Sequence, residues 1–244
     1  MGIRLASIYS YPPSSLGFCG QRIKNTPQIL KNFLTGKKPL TGQIKKALQN
    51  FEAAYPYLKL ISQANKIKDP LDYQVVEALW LGNELLNKIK LTDLKKTVLT
   101  DFTRPGLLTK TQAKTRLNKI SALTRPHHSF HVLLLGPVTK NIKFYDKLYD
   151  LCLISWGRVL QLKAKKSKAV VNFKPLILKN NQFLYGKKSK KEIIWNKTIV
   201  PDLQINDQVS FHWNFLCQKL TETQATNLKK YTKQNINLAN EQRR

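Results

Sequence analysis

The chain has 244 residues, 42% of them hydrophobic, and a formal net charge of +28. This is apolar material for one large domain or two small ones, and it excludes a disordered chain. No apolar run reaches the roughly 18 residues of a membrane helix and the N-terminus lacks a basic-then-apolar leader pattern, so a cytoplasmic protein with no membrane span is expected.

In chain order, Ala6 to Gly20 reads as an irregular loop of aromatic, Pro, Ser and Gly residues. Helical patterns follow. Thr26-Pro27 opens one with Ile29, Leu30, Phe33 and Leu34 on one face and Gly36 beyond it. Thr41 opens the next, with Ile44, Leu48, Phe51, Ala54, Tyr55 and Leu58 on one face. Asp69-Pro70 starts a third, whose stripe runs from Val75 to Ile89, and Thr92 to Leu99 and Thr109 to Leu123 supply two more. His128 to Leu135 reads as a buried strand, and Lys143 to Leu151 as a short helix feeding into Cys152.

From Ile154 the pattern turns to β: Val159 to Leu162, Ala169 to Phe173, Leu176 to Leu178, Gln182 to Tyr185, Ile193 to Trp195 and Val209 to Trp213. A last helix is expected over Gln224 to Tyr231, with hydroxyl caps and an early acid before it. The expected class is α+β: a mainly α-helical N-terminal domain (1–150), then a small OB-like antiparallel β-barrel with a C-terminal helix (151–244).

Three cysteines and four histidines are the scarce reactive groups. An odd cysteine count at 19, 152 and 217 is no disulfide framework and suits a reducing compartment. Cys152 is followed by Trp156, Gly157, Arg158 and Val159; Ala169, Val171, Asn172 and Phe173 form a middle strand; Asn206-Asp207-Gln208-Val209 leads to His212 and on to Lys219-Leu220. These three segments, in this order, resemble the HypC/HupF hydrogenase assembly chaperones over roughly residues 151–232. The family pattern there is Cys-x-x-x-Pro-Gly-basic-aliphatic, then Ala-x-Val, then Gly-Asp-x-Val-x-x-His with Lys-Leu after it. Trp156 stands where the family has Pro, Asn206 and Asn214 replace glycines, and Cys152 is internal where the family presents a chain end. The gap between Phe173 and Asn206 leaves room for an extra hairpin. The helical half also looks like an uncharacterised bacterial protein family.

The resemblance implies a non-enzymatic metallochaperone-type accessory protein of [NiFe]-hydrogenase maturation. Cys152 and His212 would be its iron ligands, and a maturation factor or the hydrogenase large subunit its protein partner. A thiolate and an imidazole suit a soft or borderline metal. The plainer roles are packing for Cys152 and a backbone-satisfied imidazole for His212.

A second cluster, Cys19 with His127, His128 and His131, is a candidate second metal site or Cys-His nucleophile pair, that is, a small Cys/His-dependent enzyme. There is no His-Glu-x-x-His, no phosphate-cradling glycine loop and no pair of carboxylates at catalytic spacing. The positive charge is spread along both halves and is mostly Lys, which reads as compositional bias. Lys163, Lys165, Lys166, Lys168, Lys187, Lys188, Lys190 and Lys191 nonetheless form two clusters that supply the alternative of a nucleic-acid-binding OB-like module.

Overall fold

The N-terminal segment, expected to be a loop, is helix α1 (Gly2–Ser15). In the computed structural model, which describes residues 1–37, 39–139 and 146–243, it lies at the centre of the helical half with Leu5, Tyr9 and Ser10 buried. Its small residues let neighbours approach: a Cβ on Gly2 would meet the Leu71 carbonyl oxygen at 1.9 Å. Prolines 12 and 13 suggested an irregular segment, yet both sit inside the last turns of the helix. A helix buried on nearly every side has no polar stripe, so it carries no 3.6-residue signal.

Around it pack α2 (Thr26–Leu34), α3 (Thr41–Gln49), α4 (Tyr55–Ala64) and α5 (Tyr73–Trp80), then α6 (Leu91–Thr100) and α7 (Lys110–Leu117). The run expected to continue from Thr41 to Leu58 is divided between α3 and α4, and the stripe expected to run to Ile89 is interrupted as well. α5 is capped by Asp72, whose side chain accepts from the Gln74 N–H, and ends at Trp80; a 3₁₀ turn (Glu84–Lys88) takes up the rest. Gly82 makes the break, with φ +85° and the Tyr231 ring so close that a Cβ would meet it at 2.2 Å. α7 is shorter than the pattern suggested and begins on a Thr109–Gln112 capping box.

His128 to Leu135 is not a strand. It is a short helix, α8 (His128–Phe130), continued by a π-helical turn (His131–Leu135), and all eight side chains are buried. A fully buried apolar run looks the same in either conformation. α9 (Asp146–Cys152) ends on the cysteine; the first three residues of the expected Lys143 to Leu151 helix lie outside the described residues.

The second half has seven strands: β1 (Ser155–Lys163), β2 (Lys168–Phe173), β3 (Leu176–Lys179), β4 (Gln182–Tyr185), β5 (Ser189–Ile194), β6 (Gln208–His212) and β7 (Phe215–Lys219). β7 was not expected as a separate strand. Five strands pair in the cyclic order β1-β2-β5-β7-β6, with β6 back on β1, while β3 and β4 form a separate hairpin. The link between β5 and β7 is a single parallel pair, Ile194 with Phe215. Ala169, Val171 and Phe173 alternate inward along β2 and meet Val159, Ile193, Val209 and Phe211 in a small core.

The closing helix α10 (Glu222–Glu241) is far longer than expected and starts on a Thr221–Gln224 capping box. Its Leu228, Tyr231, Ile236 and Leu238 join the core of the N-terminal helices, as do Trp213 and Cys217 from the β half. Apolar packing therefore runs across residue 150, the expected domain boundary. The fold is α+β. Among the described residues no helix is long and apolar enough to cross a membrane.

Candidate metal centre

Three side chains from distant parts of the chain meet where the helical half faces the β half. His128 opens α8, Cys152 ends α9 and His212 ends β6. Their ligand atoms all lie within 4.8 Å of one another, and all three residues are buried. Among the described residues no other trio of His, Cys, Asp or Glu has this geometry.

Two backbone carbonyls organise the imidazoles. The Cys152 carbonyl is at a helix C-terminus, where the last carbonyls have no intrahelical donor. His128 Nε2 stands 2.9 Å from it and His212 Nε2 3.0 Å. The second carbonyl is that of Tyr9, 2.8 Å from His212 Nδ1. In a regular helix the N–H of residue 13 would donate to Tyr9; Pro13 has none. The proline that disguised α1 thus leaves an acceptor open for His212.

Both ring nitrogens of His212 consequently face carbonyl oxygens. A neutral imidazole carries one N–H and can satisfy only one of them; an imidazolium satisfies both. Burial opposes that charge and lowers the His212 pKa to about 4, against the raising effect of the Tyr9 and Cys152 carbonyls. His128 is held well below its usual value by burial first, then by His212, His127 and His131. Burial likewise pushes the Cys152 thiol well up, with Cys19 adding to the effect. In the tautomer that donates Nδ1–H to Tyr9, the lone pair of His212 Nε2 faces the Cys152 oxygen; in the other, the Nδ1 lone pair faces the Tyr9 oxygen. Either way two lone pairs oppose each other among buried groups, and a cation held at Nε2 relieves the first arrangement. One thiolate with two imidazoles is a donor set for Fe(II), Zn(II) or Co(II).

Trp80 closes one side, its ring centroid 4.6 Å from His128 and 5.8 Å from His212, and it stacks on Tyr9 at 5.3 Å. Tyr9 hydrogen-bonds Ser210 Oγ at 2.7 Å, tying α1 to β6. Sequence reasoning missed both aromatics as site residues, since a Trp at the end of an apolar stripe carries no other signal.

The expected grouping of Cys19, His127, His128 and His131 is not what the fold assembles. Only His128 joins Cys152 and His212. His127 caps α8 through Ser129, and Ser129 in turn accepts from Asn235 of α10. His131 Nδ1 is 3.2 Å from the Tyr57 hydroxyl in the helical core. Burial lowers both pKa values to about 3. Cys19 stands near Glu52, and burial followed by that carboxylate pushes its thiol up to about 12, the reverse of an activated nucleophile. Cys217 is packed, as its place in the sequence suggested.

The lysine clusters divide. Lys163 and Lys168 both bind Glu192, and Lys191 pairs with Asp150 at 3.1 Å while lying over Phe173. Lys165, Lys166, Lys187, Lys188 and Lys190 have no ion-pair partner among the described residues. Lys190 and Lys191 are on β5.

No curated protein and no solved structure matches the chain. A family model described as a family of unknown function (DUF6390) matches residues 1–244, and the chain belongs to that family.

Proposed function

We propose that this protein is a metal-binding accessory protein of the metallocentre-assembly type, which takes iron, or an iron fragment with its small ligands, at Cys152, His212 and His128. The carrying observation is the meeting of one thiol and two imidazoles in a buried space where His212 turns both nitrogens toward carbonyl oxygens. The HypC-like reading of the second half draws support from where its motifs fall. Gly157 lies on β1 so close to β2 that a Cβ would meet the Asn172 carbonyl oxygen at 2.7 Å. Ala169 to Phe173 is β2, Asn206 and Asn214 adopt positive φ where the family has glycine, and the β3–β4 hairpin fills the long gap. On this reading the five-strand ring is an OB-like barrel. The partner is a maturation factor or a hydrogenase large subunit, and three free cysteines fit a reducing cytoplasm.

Binding requires the thiol to give up its proton, so affinity should rise with pH below the raised thiol pKa, by about tenfold per unit for one proton released. The test is anaerobic equilibrium binding of Fe(II) to the full chain. Cys152→Ala and His212→Ala should abolish tight binding and His128→Ala should weaken it. Unchanged affinity in all three would reject the proposal.

A further inference from the structure

A cleft of about 460 Å³, lined in part by Leu153 and Ile154, opens between β1, the β2–β3 and β4–β5 connections and α10. Its volume is in the range of small-molecule sites. Arg158, Lys174, Lys188 and Lys229 reach it from four separate segments, and no carboxylate lines it. The nearest contrast is the neighbouring cleft, which holds Asp150, already engaged by Lys191 and by the Leu176 N–H. The Arg158 Nη1 donates to the Asn206 carbonyl at 2.9 Å, which fixes the guanidinium and leaves its other N–H groups to donate elsewhere. Lys174, Lys188 and Lys229 have no ion-pair partner among the described residues.

The rest of the wall is not a charged surface. Trp156 and Tyr185 line it, their centroids 5.9 Å apart and inclined at 69°. Trp156 supplies the apolar ring, and the Tyr185 phenol stands edge-on beside it. At the base lies Thr232, 1% exposed, with a hydroxyl that has no hydrogen-bond partner among the described residues. Four cations without a carboxylate select an anion, and the aromatic wall selects something flat attached to it. The space takes one such unit and not a duplex.

We infer that this cleft binds a small phosphate ester carrying a flat ring, of mononucleotide size, with the phosphate among Lys174, Lys188, Lys229 and Arg158 and the ring against Trp156. The pairing of charge with a stacking face is what sets it apart from the general excess of lysine on this chain. The site is separate from the metal ligands and needs no metal.

Calorimetric titration of the full chain in EDTA with ADP, adenosine and inorganic pyrophosphate tests this. ADP should bind at least about tenfold more tightly than either fragment, because it alone engages both halves of the cleft. The exposed double variant Lys174→Glu/Lys188→Glu should weaken ADP by about tenfold or more, with its melting temperature unchanged. Trp156→Leu should weaken ADP and leave pyrophosphate as it was. ADP binding no tighter than pyrophosphate, or undiminished in the lysine variant, would overturn the inference. So would a short single-stranded RNA that binds with steep salt dependence and is not displaced by ADP, since the cations would then serve a polymer. Because EDTA is present throughout, failure here leaves the metal reading standing, and the reverse also holds.

Discussion

His212 is held by two backbone carbonyls without a helical donor, one because it ends α9 and one because Pro13 has no N–H to offer Tyr9. The four histidines of the chain are all buried, and burial keeps them neutral. In the unfolded chain each takes up a proton near pH 6.5; in the folded protein His212 resists until about 4, and His127 and His131 until about 3. Between those values the unfolded state binds more protons, so stability is full above about pH 6.5 and is lost as the pH falls toward the folded pKa. At pH 5 each of the three should have lost about 2 kcal/mol relative to neutral pH. The urea midpoint should therefore drop sharply between pH 7.5 and pH 5. A midpoint that holds across this range would mean that these imidazoles are not buried neutral. His128 belongs to this group by burial and to the cluster with Cys152 and His212 by geometry. Its place in the chain, 24 residues before Cys152 in a run of three histidines, pointed to its neighbours His127 and His131 instead. Spacing within one segment was legible, whereas convergence of three segments depends on how α8, α9 and β6 pack.

At the scale of elements, α1 does two things at once: it fills the centre of the helical half, and its interrupted hydrogen-bond ladder orients His212. Pro13→Ala separates them. It restores an N–H at residue 13 that competes for the Tyr9 carbonyl, so metal affinity should fall by about tenfold, the low end for losing an orienting partner. The helix itself should gain, and the melting temperature should not fall, because proline disfavours a helix interior by about 3 kcal/mol relative to alanine. Equal affinity in the two proteins would show that Tyr9 does not orient His212. The strands were read from the sequence because alternation such as Ala169, Val171, Phe173 survives when one face is buried. α1 and the α8 run were misread for the opposite reason, being buried all round. α10 was read only to Tyr231, since beyond it the core side takes Thr232 and Asn235 as well as Ile236 and Leu238, and polar core residues blur the stripe.

For the whole molecule, the His128–Cys152–His212 cluster, the Tyr9–Ser210 bond and the apolar residues of α10 all bridge the two halves. We expect one cooperative unfolding transition. Far-ultraviolet circular dichroism, dominated by the N-terminal helices, and tryptophan fluorescence, which includes Trp195 of the small core in the β half, should trace coincident curves. Two separated transitions would mean that residue 150 is a true domain boundary. A chain cut after Leu220 should fail to fold, because the helical core then loses Leu228, Tyr231, Ile236 and Leu238 together.

On the proposed function, one sulfur and two ring nitrogens from three distant segments share a metal. X-ray absorption of the anaerobic Fe(II)- or Zn(II)-loaded protein reads that set directly. For zinc, one sulfur near about 2.3 Å and two imidazole nitrogens near about 2.0–2.1 Å are expected, with the sulfur shell gone in Cys152→Ala. A spectrum of oxygen and nitrogen alone in the unaltered protein, or a sulfur shell that survives the loss of Cys152, would contradict it.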